Sequence, residues 1–353
     1  MEQMTSLERT MATIHHRIPD RVPVDLHNFL VTIDYAGYPM AQALRDGEML
    51  AEAQLKFWRD FRHDVLLVEN GVIAEAGACG CAIDWPTEGP PRVVGHVLAD
   101  GLEKIDELTV PDPWRTPPMQ ENLEAVRILR KELGDQVFIM GRADQAPASL
   151  AGALRGYEQF ILDMALNEQP ELIHKVLDFC AQVQIRYMLA MKEAGAHGTS
   201  MGEMGVDIIG PRLHRRFAHP YDRQVVEAVG TPDFPVALHI CGDATLILPE
   251  MIATGAQILE LDYKTDKTKA KETLRGKTTF LGPVNPELLW AGTPGEVEAA
   301  AREAIAVLSP GGEFILGPGC ALGHTTPTDN IHALIETAWK YGAYNPDGSL
   351  QRQ

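Results

Sequence analysis

His239 and Cys241, in Leu238-His239-Ile240-Cys241-Gly242-Asp243, put an imidazole and a thiol two residues apart. On an extended strand, side chains at i and i+2 point the same way, so the two can converge on one ion. A second thiol, Cys320 in Gly317-Pro318-Gly319-Cys320, completes a set of one nitrogen and two sulfur donors. These donors suit zinc better than harder cations, and three of them leave the fourth tetrahedral position to water or a substrate, as catalytic zinc requires. The spacing differs from that of a structural zinc finger, whose ligands come as close pairs at both ends of the motif. The competing account is packing, in which the cysteines are small core residues and His239 is a hydrogen-bonded interior histidine. The position of all three at the ends of expected strands favours chemistry.

Other residues carry two readings each. Glu203, in Ser200-Met201-Gly202-Glu203, follows an expected strand and is a further zinc ligand, a support for one, or an acid in a solvated loop. Asp262, at the end of the strand after the His-Cys strand, either faces the same mouth or caps its own loop. His324 follows Cys320 closely and either orients a substrate or stands exposed. Cys79 and Cys81 form a C-x-C among small residues and read as structural. Met188, Met191, Met201 and Met204 read as core filling, with contact to an apolar substrate as the alternative.

These side chains must be positioned by strands, and the sequence alternates short apolar runs with longer amphipathic stretches, the pattern of parallel strands joined by crossover helices. Strands are expected at 65–68, 137–140, 236–240, 258–262, 279–282 and 314–317. Thr293-Pro294-Gly295-Glu296 and Thr326-Pro327-Thr328-Asp329 each read as a threonine N-cap, a proline in the first turn and an acid three residues after the cap. The proline-rich stretches around Pro86 to Pro91 and Pro111 to Pro118 are short, and no low-complexity linker divides the chain. The expectation is therefore one α/β domain over residues 1–353 with an N-terminal extension, in which the regular rhythm of the C-terminal strands favours a closed barrel over a doubly wound sheet, a choice that periodicity alone leaves open. No G-x-G-x-x-G follows the first strand, so a dinucleotide fold has no positive support.

Composition narrows the partners. With 31 Lys and Arg against 49 Asp and Glu, the 353-residue chain carries a formal charge of −18 and no basic run that would track a phosphate backbone, which argues against nucleic acid. A substrate bearing many carboxylates is disfavoured for the same reason. Five scattered cysteines do not form a disulfide framework, and neither a signal-like segment nor a membrane-length apolar run is visible; a cytoplasmic setting is expected. The oligomeric state stays open, a homodimer included.

Four segments together resemble the uroporphyrinogen decarboxylase superfamily: Arg17-Ile18-Pro19-Asp20-Arg21-Val22-Pro23-Val24-Asp25, Leu238-His239-Ile240-Cys241-Gly242-Asp243, Gly282-Pro283-Val284-Asn285-Pro286 and Gly317-Pro318-Gly319-Cys320. H-x-C with a distant cysteine before a T-P-x-x-N helix is similar to the zinc methyltransferase branch, whose members exchange methyl groups with a corrinoid protein. The resemblance implies a TIM barrel, a zinc ion held by His239, Cys241 and Cys320, and a corrinoid (cobalamin) protein as partner. It also implies a small methyl donor or acceptor: a thiol, a folate, or an O- or N-methyl compound. Glu203 resembles an acidic position at a strand end of that family. Three rivals remain: metal-independent decarboxylation, thiol transfer to an epoxide by a coenzyme M-type reaction, and a non-catalytic zinc protein. The decarboxylases carry an arginine-rich run after the N-terminal motif, whereas this sequence reads Asp25-Leu26-His27-Asn28-Phe29-Leu30.

Overall fold

The computed structural model describes residues 3–86 and 89–351, so part of the Pro86 to Pro91 stretch lies outside the described residues. Seven parallel strands lie side by side in chain order: β1 (Val65–Val68), β4 (Phe138–Gln145), β5 (Gly198–Glu203), β6 (Val236–Ile240), β7 (Ile258–Leu261), β8 (Thr279–Val284) and β9 (Phe314–Pro318). The short strands β2 (Ala82–Asp84) and β3 (Arg92–Gly95) pair antiparallel in the excursion after β1. The remaining gap, between β9 and β1, is filled by two residues. Val24 bridges Leu316 of β9 and Asp25 bridges Val65 of β1, both in parallel. Asp25 N donates to Leu316 O at 2.9 Å and Val65 N to Val24 O at 3.1 Å, which closes a (β/α)8 barrel. Pro23 lacks an N–H, so this eighth position cannot grow into a regular ladder on its N-terminal side.

All six expected strands are present. β4 runs on to Gln145, beyond the apolar stretch at 137–140, because Arg142, Asp144 and Gln145 find polar partners inside the fold. β5, expected only as the element before Glu203, has little apolar pattern of its own and is held by its register with β4 and β6. The helix Pro294–Leu308 starts as expected, with Thr293 and Glu296 forming a reciprocal capping box. The other start is one residue late: Pro327 is the N-cap of Thr328–Tyr341, because the Thr326 hydroxyl donates to Gly323 O at 2.7 Å.

Alternation along the strands sorts the side chains. At the strand beginnings Val65, Leu67, Phe138, Met140, Ala237, Ile258, Leu281 and Ile315 form a small apolar cluster inside the barrel, closed from below by Ile14 of helix α1 (Ser6–Ile14). The intervening residues face outward into the larger core beneath the helices, where Cys79, Cys81 and all four singled-out methionines are buried. Among the described residues, no helix is long and apolar enough to cross a membrane.

Helix α1 is fastened by one buried carboxylate. Asp64, at zero exposure, accepts from Ser6 Oγ (2.8 Å), Arg9 Nη1 (2.7 Å), Arg21 Nη1 (2.7 Å) and Val24 N (2.9 Å). It thereby links α1, the closing segment and the start of β1. Removing one partner of a buried ion network leaves uncompensated charge and costs about 3–5 kcal/mol. Asp64→Ala is expected to lower unfolding stability by that order, read as a fall in the urea midpoint at unchanged m-value.

Candidate metal centre

β6 presents His239 into the barrel, and Cys241 follows on the same side just beyond the strand end. Cys320 comes from the turn after β9. His239 Nε2 lies 3.1 Å from Cys241 Sγ, and the two sulfurs are 4.0 Å apart. All three donor atoms fall within 4.8 Å of one another, and they form the one cluster of metal-ligand type among the described residues. The structure thus brings together the three residues singled out from the sequence. Two thiolates at about 2.3 Å from a tetrahedral zinc stand about 3.8 Å apart, close to the observed sulfur separation. His239 Nδ1 donates to the backbone carbonyl of Glu260 (3.2 Å), which orients the ring so that Nε2 faces the sulfurs and becomes the ligand nitrogen once its proton is displaced. His239 is 2% exposed, whereas both cysteines keep partial access from the mouth.

Two close backbone approaches hold these groups. A side chain at Gly319 would place its Cβ 2.6 Å from Tyr263 N, so only glycine lets the Cys320 turn pack against the loop after β7. At Gly202, the register partner of His239, a Cβ would meet Arg142 Nη2 at 2.9 Å. Asp262 sits at the mouth but does not reach the cluster. Its Oδ2 accepts from Gly242 N (2.9 Å) and its Oδ1 from Lys264 N (3.0 Å), so it shapes the backbone directly after Cys241.

Glu203 is not brought to the cluster. It pairs in register with Ile240 rather than His239, so it points out of the barrel toward the helices. There it accepts from Ala148 N (3.1 Å), Ser149 Oγ (2.9 Å) and Met204 N (2.6 Å), beside the buried carboxyl of Asp222. His324 is half-buried in its loop and pairs with Asp34.

Beneath the cluster lies a buried polar layer. Arg142 reaches Asp144 Oδ1 (2.7 Å), Glu69 Oε2 (3.0 Å) and Glu260 Oε2 (3.3 Å), and His27 Nδ1 meets Glu260 Oε1 at 2.6 Å. The His27 and His239 rings stand edge to face with centroids 6.2 Å apart. His27, Glu69, Arg142 and Glu260 were not singled out from the sequence. A signal did exist: Glu260 sits between Leu259 and Leu261 in a strand with both neighbours buried, where an acid requires a partner.

The charges interlock. Burial opposes a charged His239, but Glu260 and Cys320 outweigh it and raise its pKa to about 9. The bond to Cys320 and burial push the Cys241 thiol up, while the same bond and His239 bring Cys320 down to about 3, so the sulfur pair carries one negative charge. A soft divalent cation displaces the remaining protons of such a set. Burial disfavours ionised Glu260, yet His27, His239 and Arg142 hold it below the usual carboxylate range. Burial and repulsion by Asp144 raise Glu69 well above that range despite Arg142.

Residues 5–341 match the family described as Uroporphyrinogen decarboxylase (URO-D). The chain is 27% identical over 350 residues to the methylcobamide:CoM methyltransferase MtbA of Methanosarcina acetivorans, covering 97% of this chain and 99% of that protein. It is 26% identical over 309 residues to the uroporphyrinogen decarboxylase of Crocosphaera subtropica, covering 85% of each. A solved structure of a methyltransferase from Methanosarcina mazei superimposes with a TM-score of 0.86 at 25% identity, over 96% of this chain and 99% of that one.

Polar burial continues behind the mouth at Glu75, in the short helix after β1. Its Oε1 accepts from Gln145 N and Gln184 Nε2, both at 3.2 Å. Burial and repulsion by Asp144 raise its pKa to about 8 against the weaker pull of Arg142. The folded state therefore keeps a proton that the unfolded chain releases above pH 4.5, so this contribution is full below that pH and is lost as pH rises to about 8. One such proton corresponds to about 1.4 kcal/mol per pH unit. Glu75→Gln is expected to flatten the decline in urea-unfolding stability between pH 5.5 and 7.5 by up to that slope. Equal slopes in the two proteins would mean that Glu75 is ionised in the fold.

Proposed function

The chain belongs to the uroporphyrinogen decarboxylase family, in the branch of the methylcobamide methyltransferases. From that membership we propose that it transfers a methyl group from a corrinoid protein to a small thiol, using zinc held by His239, Cys241 and Cys320. The observation that carries the reading is the convergence of one nitrogen and two sulfur donors at an accessible mouth, with a ring orientation set by Glu260 O that turns His239 Nε2 toward the sulfurs. Zinc in such a set lowers the pKa of a thiol that joins it and so supplies a thiolate at neutral pH. We take the chain to work as one barrel unit.

The thiol loses its proton to solvent, its sulfur lone pair forms the new S–CH3 bond, and the Co–CH3 bond breaks with its electron pair left on cobalt, giving a thioether and cobalt(I). The protein's part is positioning. Glu260 anchors His239 through its carbonyl, and Asp262 and Gly319 fix the turns that carry Cys241 and Cys320. The filled barrel below leaves approach only from the mouth. Porphyrinogen decarboxylation, the activity named for other relatives, gives the sulfur cluster no task and fits poorly with an acidic chain lacking the arginine-rich N-terminal run.

Metal analysis of the purified protein is expected to give about one zinc per chain. Cys320→Ala should lose the metal while keeping the circular dichroism of the wild type, and should no longer convert methylcobalamin and a thiol to thioether. A metal-stripped wild type that transfers methyl as fast as the zinc form would sink the proposal. Glu260→Gln, which alters a group behind His239, is expected to weaken zinc retention against a competing chelator by about 10-fold or more.

A further inference from the structure

Glu69 is a carboxyl that the charge balance of the barrel leaves over. It stands two residues after Leu67, whose side chain packs inside the barrel, and therefore points inward at the end of β1. It is 2% exposed, and neither of its oxygens has a hydrogen-bond partner. Arg142 Nε lies 3.0 Å from Glu69 Oε2, but its N–H is directed to Asp144 Oδ1 at 2.7 Å. A buried carboxyl in that state calls for a donor that the fold around it does not supply. Asp144, 9% exposed, flanks it from β4, and its Oδ2 accepts from Gln145 Nε2 at 3.2 Å. Both acids are close to the donor cluster. His27 Nε2 is 3.8 Å from Glu69 Oε2 and the His27 and His239 rings are 6.2 Å apart, so one imidazole separates Glu69 from the ligand histidine. Between β4 and β6, strand β5 presents Gly202 to the interior and so no side chain.

We infer that the thiol taken by this site carries an ammonium group, received by Glu69 and Asp144, an inference that rests on the functional reading above. An ammonium brings N–H donors and a positive charge together; Glu69 lacks the first, and the acids gathered around Arg142 leave room for the second. Burial and repulsion by Asp144 raise the Glu69 pKa, and a bound cation relieves that repulsion. An anionic substituent finds no counterpart. Arg142 already donates to Asp144, Ser200 and Glu260, and His27 is engaged by Glu260. The segments that leave the strand ends, 26–32, 69–75, 146–152, 204–210, 241–247, 285–291 and 319–325, contain no lysine or arginine. Lys264, after β7, pairs with Asp207 at 3.2 Å. A sulfonate or carboxylate would therefore have to displace an acid from Arg142 to find a partner, whereas a neutral group would leave Glu69 as it stands. With one imidazole between Glu69 and His239, the tether between sulfur and nitrogen is short.

The test is calorimetric titration of the zinc-loaded protein with three thiols that differ in one substituent: 2-aminoethanethiol, 2-mercaptoethanol and 2-mercaptoethanesulfonate. The amino thiol is expected to bind at least tenfold tighter than the neutral one, with the sulfonate weakest. Glu69→Gln keeps the size of the side chain and cannot ionise, and it is expected to cut the amino-over-neutral preference to threefold or less. Each preference is a ratio within one protein, so differences in thiol acidity cancel when the two proteins are compared. A sulfonate thiol that binds as tightly as the amino thiol, or a preference that Glu69→Gln leaves intact, overturns the inference. The functional reading survives that result if methylcobalamin still methylates any of the three thiols. Selective binding of the amino thiol by a protein that methylates none of them supports the inference and overturns the functional reading, and binding of none overturns both.

Discussion

Closure of the barrel is the constraint on which the remaining structure rests, and it depends on two residues. Val24 and Asp25 bridge β9 to β1, and without that bridge the ends of β6 and β9 would have no fixed curvature to bring Cys320 within 4.0 Å of Cys241. The bridge is itself secured from outside, since Asp64 binds Val24 N, Arg9 and Arg21 at once. A carboxylate at the closed end of the barrel therefore supports the donor set at the open end. Ordered backbone transmits that support over the length of a strand, which a loop could not do.

Within the closed barrel, polarity rises in layers. The lowest is apolar and sealed by α1, the next holds Arg142 among Glu69, Asp144 and Glu260, and the uppermost holds the imidazole and thiols. Burying Arg142 demands acidic partners, and one of these, Glu260, also receives His27 and backs His239. The charges needed to satisfy one buried guanidinium thus become the electrostatic support of the donor cluster. Carboxyls left over from that balance, Glu69 and Glu75, rise in pKa because burial and Asp144 outweigh the share of Arg142 that reaches them.

The contrast between Cys241 and Glu203 shows how strand parity decides use. Both belong to segments ending at the mouth, but Cys241 shares the face of His239 while Glu203 is in register with Ile240 and turns outward. Chemistry at the mouth is therefore built from alternate residues only. The acid that serves the cluster, Glu260, comes from a strand interior rather than a strand end.

Much of this was legible in the residues. Short continuous apolar runs separated by amphipathic stretches specify parallel strands and crossover helices, because a strand covered on both faces must be apolar at every position. H-x-C spacing specifies two donors on one side, because alternate residues of a strand share a face. The strand β5 was faint because glycine and serine stabilise it only through neighbours. Which strand ends meet, which way Glu203 faces, and which acids Arg142 gathers are matters of register and closure, set by contacts between residues far apart in the chain. The sequence by itself determined the donor types and the elements that carry them. Only the closed tertiary structure decided that Cys320 joins His239 and Cys241, because three-point convergence is a property of a curved sheet and no local spacing encodes it.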